Sequence, residues 1–362
     1  MKLILIEDFQ QDAELCKTAI NDFNEDNHCV IDLKIATDVS SAKTALKSSH
    51  YDFAIIDMKL ADNGNEGNEI LKEIKSQLRR IPVVIMSGTP HDADTKDIPL
   101  LATFAKGDIE YYEIIKYLWD IYQTGLTKIM GGKGEIEKSL NKIFIKNIVP
   151  LFSYDDKINN NWIKYAQENP EYTERSMLRL ILNYLIHDSY KDENICYPEE
   201  MYIHLDSSMK QNINTGCILQ SKSNQKLYIV LTPACDLVQR NNKDCKTDTA
   251  VLAEIQKIER IKEFEGVNPV EEEKLNNKQK DNLNKIRKNN KNLYYHWLPG
   301  TAFYTNGAVV NFRLINSFYE DELNENFDKP VIQISSHFLK DIISRFSSYY
   351  SRQGQPDIFY KK

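Results

Sequence analysis

Five short apolar runs recur within the first 105 residues, at 3–6, 30–36, 53–56, 83–86 and 100–105. Stretches with helical spacing, at 11–23, 41–48, 68–78 and 109–122, lie between most of them and after the last. Apolar runs without polar alternation are the mark of strands buried on both faces, and strands that alternate with helices pair in parallel. The pattern therefore predicts a doubly wound, five-stranded parallel sheet with helices on both sides. In such sheets ligands bind outside the carboxyl ends of the strands, where strand order reverses.

Four of those ends carry chemistry. Glu7 and Asp8 follow the first run, Asp57 the third, Ser87 the fourth and Lys106 the fifth. One crevice would then hold three carboxylates, a hydroxyl and an ammonium, a set able to bind a divalent cation and accept a phosphoryl group. A carboxylate that attacks a phosphoryl donor needs its own charge and that of the incoming oxygens offset, which a hard cation such as Mg²⁺ does with a few oxygen ligands. Asp8, Asp57 and the Lys59 backbone carbonyl are the expected ligands, with Glu7 acting through water or by orienting its neighbour. Lys106 offers a point charge to one phosphoryl oxygen, and the Ser87 hydroxyl can donate to another. Singly, each of these residues reads as a loop or cap residue; their coincidence at four strand ends carries the reading.

Residues 1 to about 124 resemble the receiver domain of two-component response regulators, whose sheet is flavodoxin-like. The resemblance rests on Leu5-Ile6-Glu7-Asp8, Ile55-Ile56-Asp57, Ile85-Met86-Ser87-Gly88 and Phe104-Ala105-Lys106. It implies that a histidine kinase phosphorylates Asp57, that Glu7 and Asp8 hold Mg²⁺, and that Ser87 and Lys106 read the phosphoryl group.

Several positions depart from the family pattern. The loop 58–67 lacks the usual proline and is about two residues longer than the common form, and Gly107 stands where proline usually follows the lysine. Thr103 occupies the position of the switch aromatic, with Phe104 one residue later. Pro90 and Pro99 fall in the short segment between Ser87 and Lys106, so the fourth helix should be short or irregular. That helix and the fifth strand form the output and dimer face in most of the family. Lys59 and Thr89 lie two residues past Asp57 and Ser87, positions that the resemblance places beside the path of a hydrolytic water, and a lysine there implies slow self-dephosphorylation.

Composition bounds the rest. The 362 residues suffice for two domains, and the net charge of −7 is unevenly placed. Residues 1–125 carry 13 Lys and Arg against 22 Asp and Glu, a charge of −9, while the remainder, at 33 against 31, carries +2. Neither half is basic enough to suggest a nucleic-acid partner, and no helix-turn-helix is recognisable. No signal peptide or run of about 18 apolar residues is present, and the six cysteines form no CxxC pair, so a cytoplasmic protein with free thiols and no membrane partner is expected.

Beyond the first domain, residues 125–194 read as a linker and helical connector, and 195–362 as an α+β domain with a small bent sheet or barrel. The glycine cluster at 131–134 is not a phosphate loop, because Lys133 is followed by Gly134. Residues 254–292, rich in Lys, Glu and Asn, suggest a protruding helical hairpin or a partly disordered insertion. Thr232, Cys235 and Asp236 at a strand end are the candidate site, with His204, His296 or His337 to serve the cysteine; a small buried cysteine and a turn-capping aspartate are the plainer explanation of the same residues. Tyr294-Tyr295-His296-Trp297 reads as core or interface. The pattern around residues 216–231 is similar to the small barrels of toxin ribonucleases, and the architecture is similar to regulators of bacterial two-component anti-phage defence systems. Two functions follow. One is a phosphoryl-accepting signalling protein with a kinase and a second regulator or effector as partners, in one variant as a phosphate sink. The other is a receiver-gated nuclease or hydrolase that uses Cys235 and Asp236.

Overall fold

The structure, a computed structural model, describes residues 1–60, 66–77, 79–152, 161–189, 196–205, 212–237, 247–264, 267, 269–300 and 306–352. The chain divides into two compact units, Met1–Asp192 and Glu193–Lys362. Among the described residues, no helix is long and apolar enough to cross a membrane.

The first unit begins with β1 (Lys2–Ile6), α1 (Gln10–Asn27), β2 (Asp32–Ala36), α2 (Val39–Ser48), β3 (Phe53–Ile56), α3 (Glu66–Ser76), β4 (Val83–Ser87), β5 (Leu100–Ala105) and α4 (Tyr111–Gln123). The strands pair in parallel in the order β2-β1-β3-β4-β5. Period-two alternation sorts their side chains into two cores. Ile4, Ile6, Ala54 and Ile56 meet Leu46 of α2 and Ile70, Leu71 and Ile74 of α3 on one face. Leu3, Leu5, Phe53 and Ile55 meet Cys16, Ile20 and Phe23 of α1 and Ile114, Ile115 and Leu118 of α4 on the other. Burial on both faces is why β1, β3 and β4 read as unbroken apolar runs, whereas the edge strand β2 alternates and β5 is only partly buried.

Between β4 and β5 no α-helix forms. A 3₁₀ turn, Pro90–Asp92, takes its place, and the Asn68 amide of α3 pins the loop by donating to Asp92 O at 2.9 Å and accepting from Asp94 N at 2.8 Å. Gly67 opens α3 beside the loop that follows β3. A Cβ there would lie 2.6 Å from Met58 Cα, so only glycine permits this approach. The middle of that loop, residues 61–65, lies outside the described residues, so its expected extra length does too.

The connector starts with α5 (Leu126–Met130) and α6 (Glu135–Ile143) and resumes with α7 (Asn161–Glu168) and α8 (Pro170–Ser189). Its first half is anchored: Ile143 and Ile148 are buried, and Arg80 pairs with Glu137. Its second half leaves Leu178, Leu182 and Ile186 exposed.

The second unit is built on one seven-stranded antiparallel sheet, ordered β10-β11-β9-β8-β7-β12-β6. Its elements are β6 (Tyr202–His204), β7 (Cys217–Gln220), β8 (Leu227–Val230), α9 (Ala234–Leu237), β9 (Thr249–Lys257), α10 (Asn277–Arg287), β10 (Tyr295–Leu298), β11 (Ala308–Tyr319), α11 (Glu320–Asn326), β12 (Ile332–Ile334) and α12 (Ser336–Tyr350). The β9–β11 register slips between Asn311 and Ile315, which bends the two longest strands and curls the sheet. One face packs on α12 through Phe312, Ile342 and Phe346, the other on α11 through Leu323 and Phe327.

The segment expected to protrude does not. Its first residues, Glu254 to Lys257, complete β9, and the rest folds back through 3₁₀ turns and α10. Ile258, Ile261, Phe264, Leu283 and Ile286 form a core of their own against Tyr295, Trp297 and Val309. Its apolar residues are few but most of the described ones converge, which composition could not reveal.

Candidate functional site

Strand order brings the sequence candidates together. The ladder continues past the strand ends through Asp57 N to Ile6 O, 2.9 Å, and Lys106 N to Ser87 O, 3.1 Å, so all four ends are held in one row. Glu7, Asp57 and Ser87 are 1%, 5% and 0% exposed, whereas Asp8 faces solvent.

The Lys106 ammonium organises the site. Its Nζ lies 2.8 Å from Glu7 Oε2, 2.7 Å from Asp57 Oδ2 and 2.7 Å from Asp12 Oδ2. An ammonium has three N–H donors, and here each meets a carboxylate. Burial alone would lower the pKa of Lys106, but its hydrogen bonds to Asp12, Asp57 and Glu7 outweigh it and raise the value above that of an ordinary lysine. Glu7 moves the other way from a simple ion pair: burial raises its pKa against the opposing pull of Lys106 and the Phe9 amide. One cation cannot satisfy three carboxylates, and the crevice keeps a net negative charge.

The remaining oxygens are oriented by backbone. Glu7 Oε1 accepts from Phe9 N at 3.0 Å, Asp57 Oδ1 from Lys59 N at 3.3 Å, and Ser87 Oγ from Thr89 N at 3.2 Å. A hydroxyl that accepts at its oxygen still has its proton to donate. Carboxylate oxygens of Glu7, Asp8 and Asp57 lie within 4.8 Å of one another. Three hard oxygen donors with uncompensated charge fit a small divalent cation rather than a soft metal.

Sequence reasoning missed Asp12. It sits in the first turn of α1, where an acid is an ordinary complement to the helix dipole, and only the fold shows that it reaches Lys106. Tyr111, the first residue of α4, was missed as well. Its hydroxyl is buried without a partner among the described residues. Its pKa is raised by burial, then by the charges of Glu7, Cys16 and Asp12. At position 103 the threonine is exposed, and Phe104 packs partly into the core beneath α4.

In the second unit the candidate cysteine and aspartate share α9, and the candidate histidines lie on other elements. Thr232 is buried and spends its polar atoms on the sheet: Oγ1 accepts from Val251 N at 2.7 Å, and its carbonyl accepts from Thr215 Oγ1 at 2.5 Å. Cys235 is exposed on α9, and its thiol donates to Asp236 Oδ1 at 3.4 Å, a neighbour that brings the thiol no positive field. Of the three candidate bases, His296 lies buried in β10 with Nε2 3.1 Å from Asp341 Oδ2 of α12. His204 lies on β6, and His337 on α12 stacks edge-on against Phe338.

The N-terminal domain is receiver-like in fold. The receiver domain of the Francisella response regulator 1452 aligns at 23% identity with TM-score 0.26, covering 34% of this chain and 97% of that one. A response regulator receiver domain from Methylobacillus flagellatus aligns at 20% and 0.28, covering 33% and 98%. The N-terminal domain of a three-domain response regulator from Carboxydothermus hydrogenoformans aligns at 17% and 0.29, covering 35% and 99%. At such scores the alignments carry no functional argument, and the fold assignment rests on the strand order above. No family model matches the chain, and no curated protein matches it.

Proposed function

We propose that this chain is a response-regulator-like signalling protein in which Asp57 accepts a phosphoryl group from the phosphohistidine of a kinase. The observation that carries this reading is the Lys106 ammonium held 2.7 Å from Asp57 Oδ2 at the carboxyl end of a parallel sheet, in a crevice with excess negative charge. In the transfer, an Asp57 oxygen bonds to phosphorus as the phosphorus–nitrogen bond of the donor breaks. The bonding electrons leave with the imidazole, which takes up a proton. Lys106, with its raised pKa, stays charged throughout and neutralises phosphoryl oxygens without giving up a proton. The Ser87 hydroxyl donates to another of those oxygens. Glu7, Asp8, Asp57 and the Lys59 carbonyl would hold Mg²⁺, which supplies charge compensation to the same oxygens. The altered crevice then signals to the C-terminal domain or to a second regulator or effector.

Incubation with a small acyl phosphate and Mg²⁺ should add one phosphoryl group to the intact mass of the native chain and none to Asp57→Asn. An equal gain in both proteins would place the acceptor elsewhere.

A further inference from the structure

The donors of Lys106 are fully committed, so the ammonium can turn to a phosphoryl oxygen only by releasing one of its three carboxylates. Glu7 is the worst to release, because its side chain is 1% exposed and a buried carboxylate stripped of its partner is costly. Asp57 itself carries the new group. Asp12, at 22% exposed, can be rehydrated and is the one to go. Close by, the Tyr111 hydroxyl is buried with no partner among the described residues, and its ring packs in one cluster with Ala13 and Cys16 of α1. A buried hydroxyl without a partner favours any rearrangement that brings it an acceptor. Asp12 is among the charges that Tyr111 senses.

We propose that Asp12 and Tyr111 are positioning residues that read the state of Asp57: Asp12 holds Lys106 while Asp57 is unmodified, and on phosphorylation it gives up Lys106 and accepts the Tyr111 hydroxyl instead. This rests on the phosphoryl-acceptor reading of Asp57. It gives the domain a route from the crevice to the start of α4 that uses neither an aromatic at position 103 nor a helix between β4 and β5. The same exchange makes Asp12 a competitor of the phosphoryl group for Lys106, so removing its charge should favour the phosphorylated state.

The test uses the full chain with ¹³C-labelled tyrosine, and beryllofluoride with Mg²⁺ as the phosphoryl mimic. The Tyr111 ring-carbon resonance is identified by its loss in Tyr111→Phe. In the native chain beryllofluoride should shift that resonance. In Asp12→Ala it should not, although the variant should bind beryllofluoride about fivefold more tightly, the equivalent of one partly exposed ion pair. Asp12→Asn, which keeps the shape and drops the charge, should show the same gain in affinity. An unchanged affinity in both variants, or a Tyr111 shift that survives Asp12→Ala, overturns the inference while leaving Asp57 as the acceptor. A native chain that binds no beryllofluoride overturns both.

Discussion

Asp57 is nearly buried, whereas Lys59, two residues on, is exposed at the mouth of the crevice. A lysine there can pair with phosphoryl oxygens and obstruct the in-line approach of water. Lys59→Asn should therefore shorten the phosphoaspartate half-life roughly fivefold, the effect of losing one charge-assisted contact of about 1 kcal/mol. An unchanged decay rate would show that Lys59 is only a loop residue. Cys16 lies deeper, its thiol pushed up to about 12 by burial and by the charge of Glu7. It should resist alkylation at pH 8 in the native chain while the exposed Cys196 and Cys235 react, as peptide mass mapping can measure. At this scale the convergence of Glu7, Asp57, Ser87 and Lys106 was legible because each directly follows an apolar run, with Asp8 next to Glu7. Asp12 was not, because it reaches Lys106 from a helix and looks locally like a first-turn acid, and Tyr111 was not, because it looks locally like a core aromatic.

Among the elements, the central strands were legible because both of their faces are buried, and the missing helix was legible in Pro90 and Pro99. β9 was not, because its buried Glu254, paired with Lys226 at 2.8 Å, interrupts the apolar pattern and made the strand end look like the start of a charged insertion. Gly67→Ala tests the junction between β3 and α3. The added Cβ would overlap Met58 Cα, and strain of this kind costs about 2 kcal/mol, to be read as a lowered denaturation midpoint. In the second unit, α12 is clamped to β10 through Asp341, whose pKa falls from 3.8 to about 2 because His296 and then Arg345 bind its charged form. A depressed carboxylate stabilises above its ordinary pKa and loses that contribution as pH falls towards its folded value. Hydrogen exchange in α12 should therefore accelerate relative to Asp341→Asn as pH drops from 4 towards 2; parallel profiles would contradict the clamp.

For the whole molecule, the described residues of the second unit form three apolar clusters on one curled sheet, and the segment expected to stand free supplies one of them. Phe264→Ala should cost about 3 kcal/mol, the toll of a large buried aromatic, whereas a free arm would tolerate it. Only the first third of the chain declares a chemistry, and it does so where strand order gathers distant residues onto one ammonium. The most direct check follows the phosphoryl group from its donor: the autophosphorylated cognate kinase, labelled on histidine, is mixed with the full chain and Mg²⁺, and the label is tracked over time. Label should pass to the native chain and not to Asp57→Asn; transfer to neither protein, or equally to both, would contradict Asp57 as the acceptor.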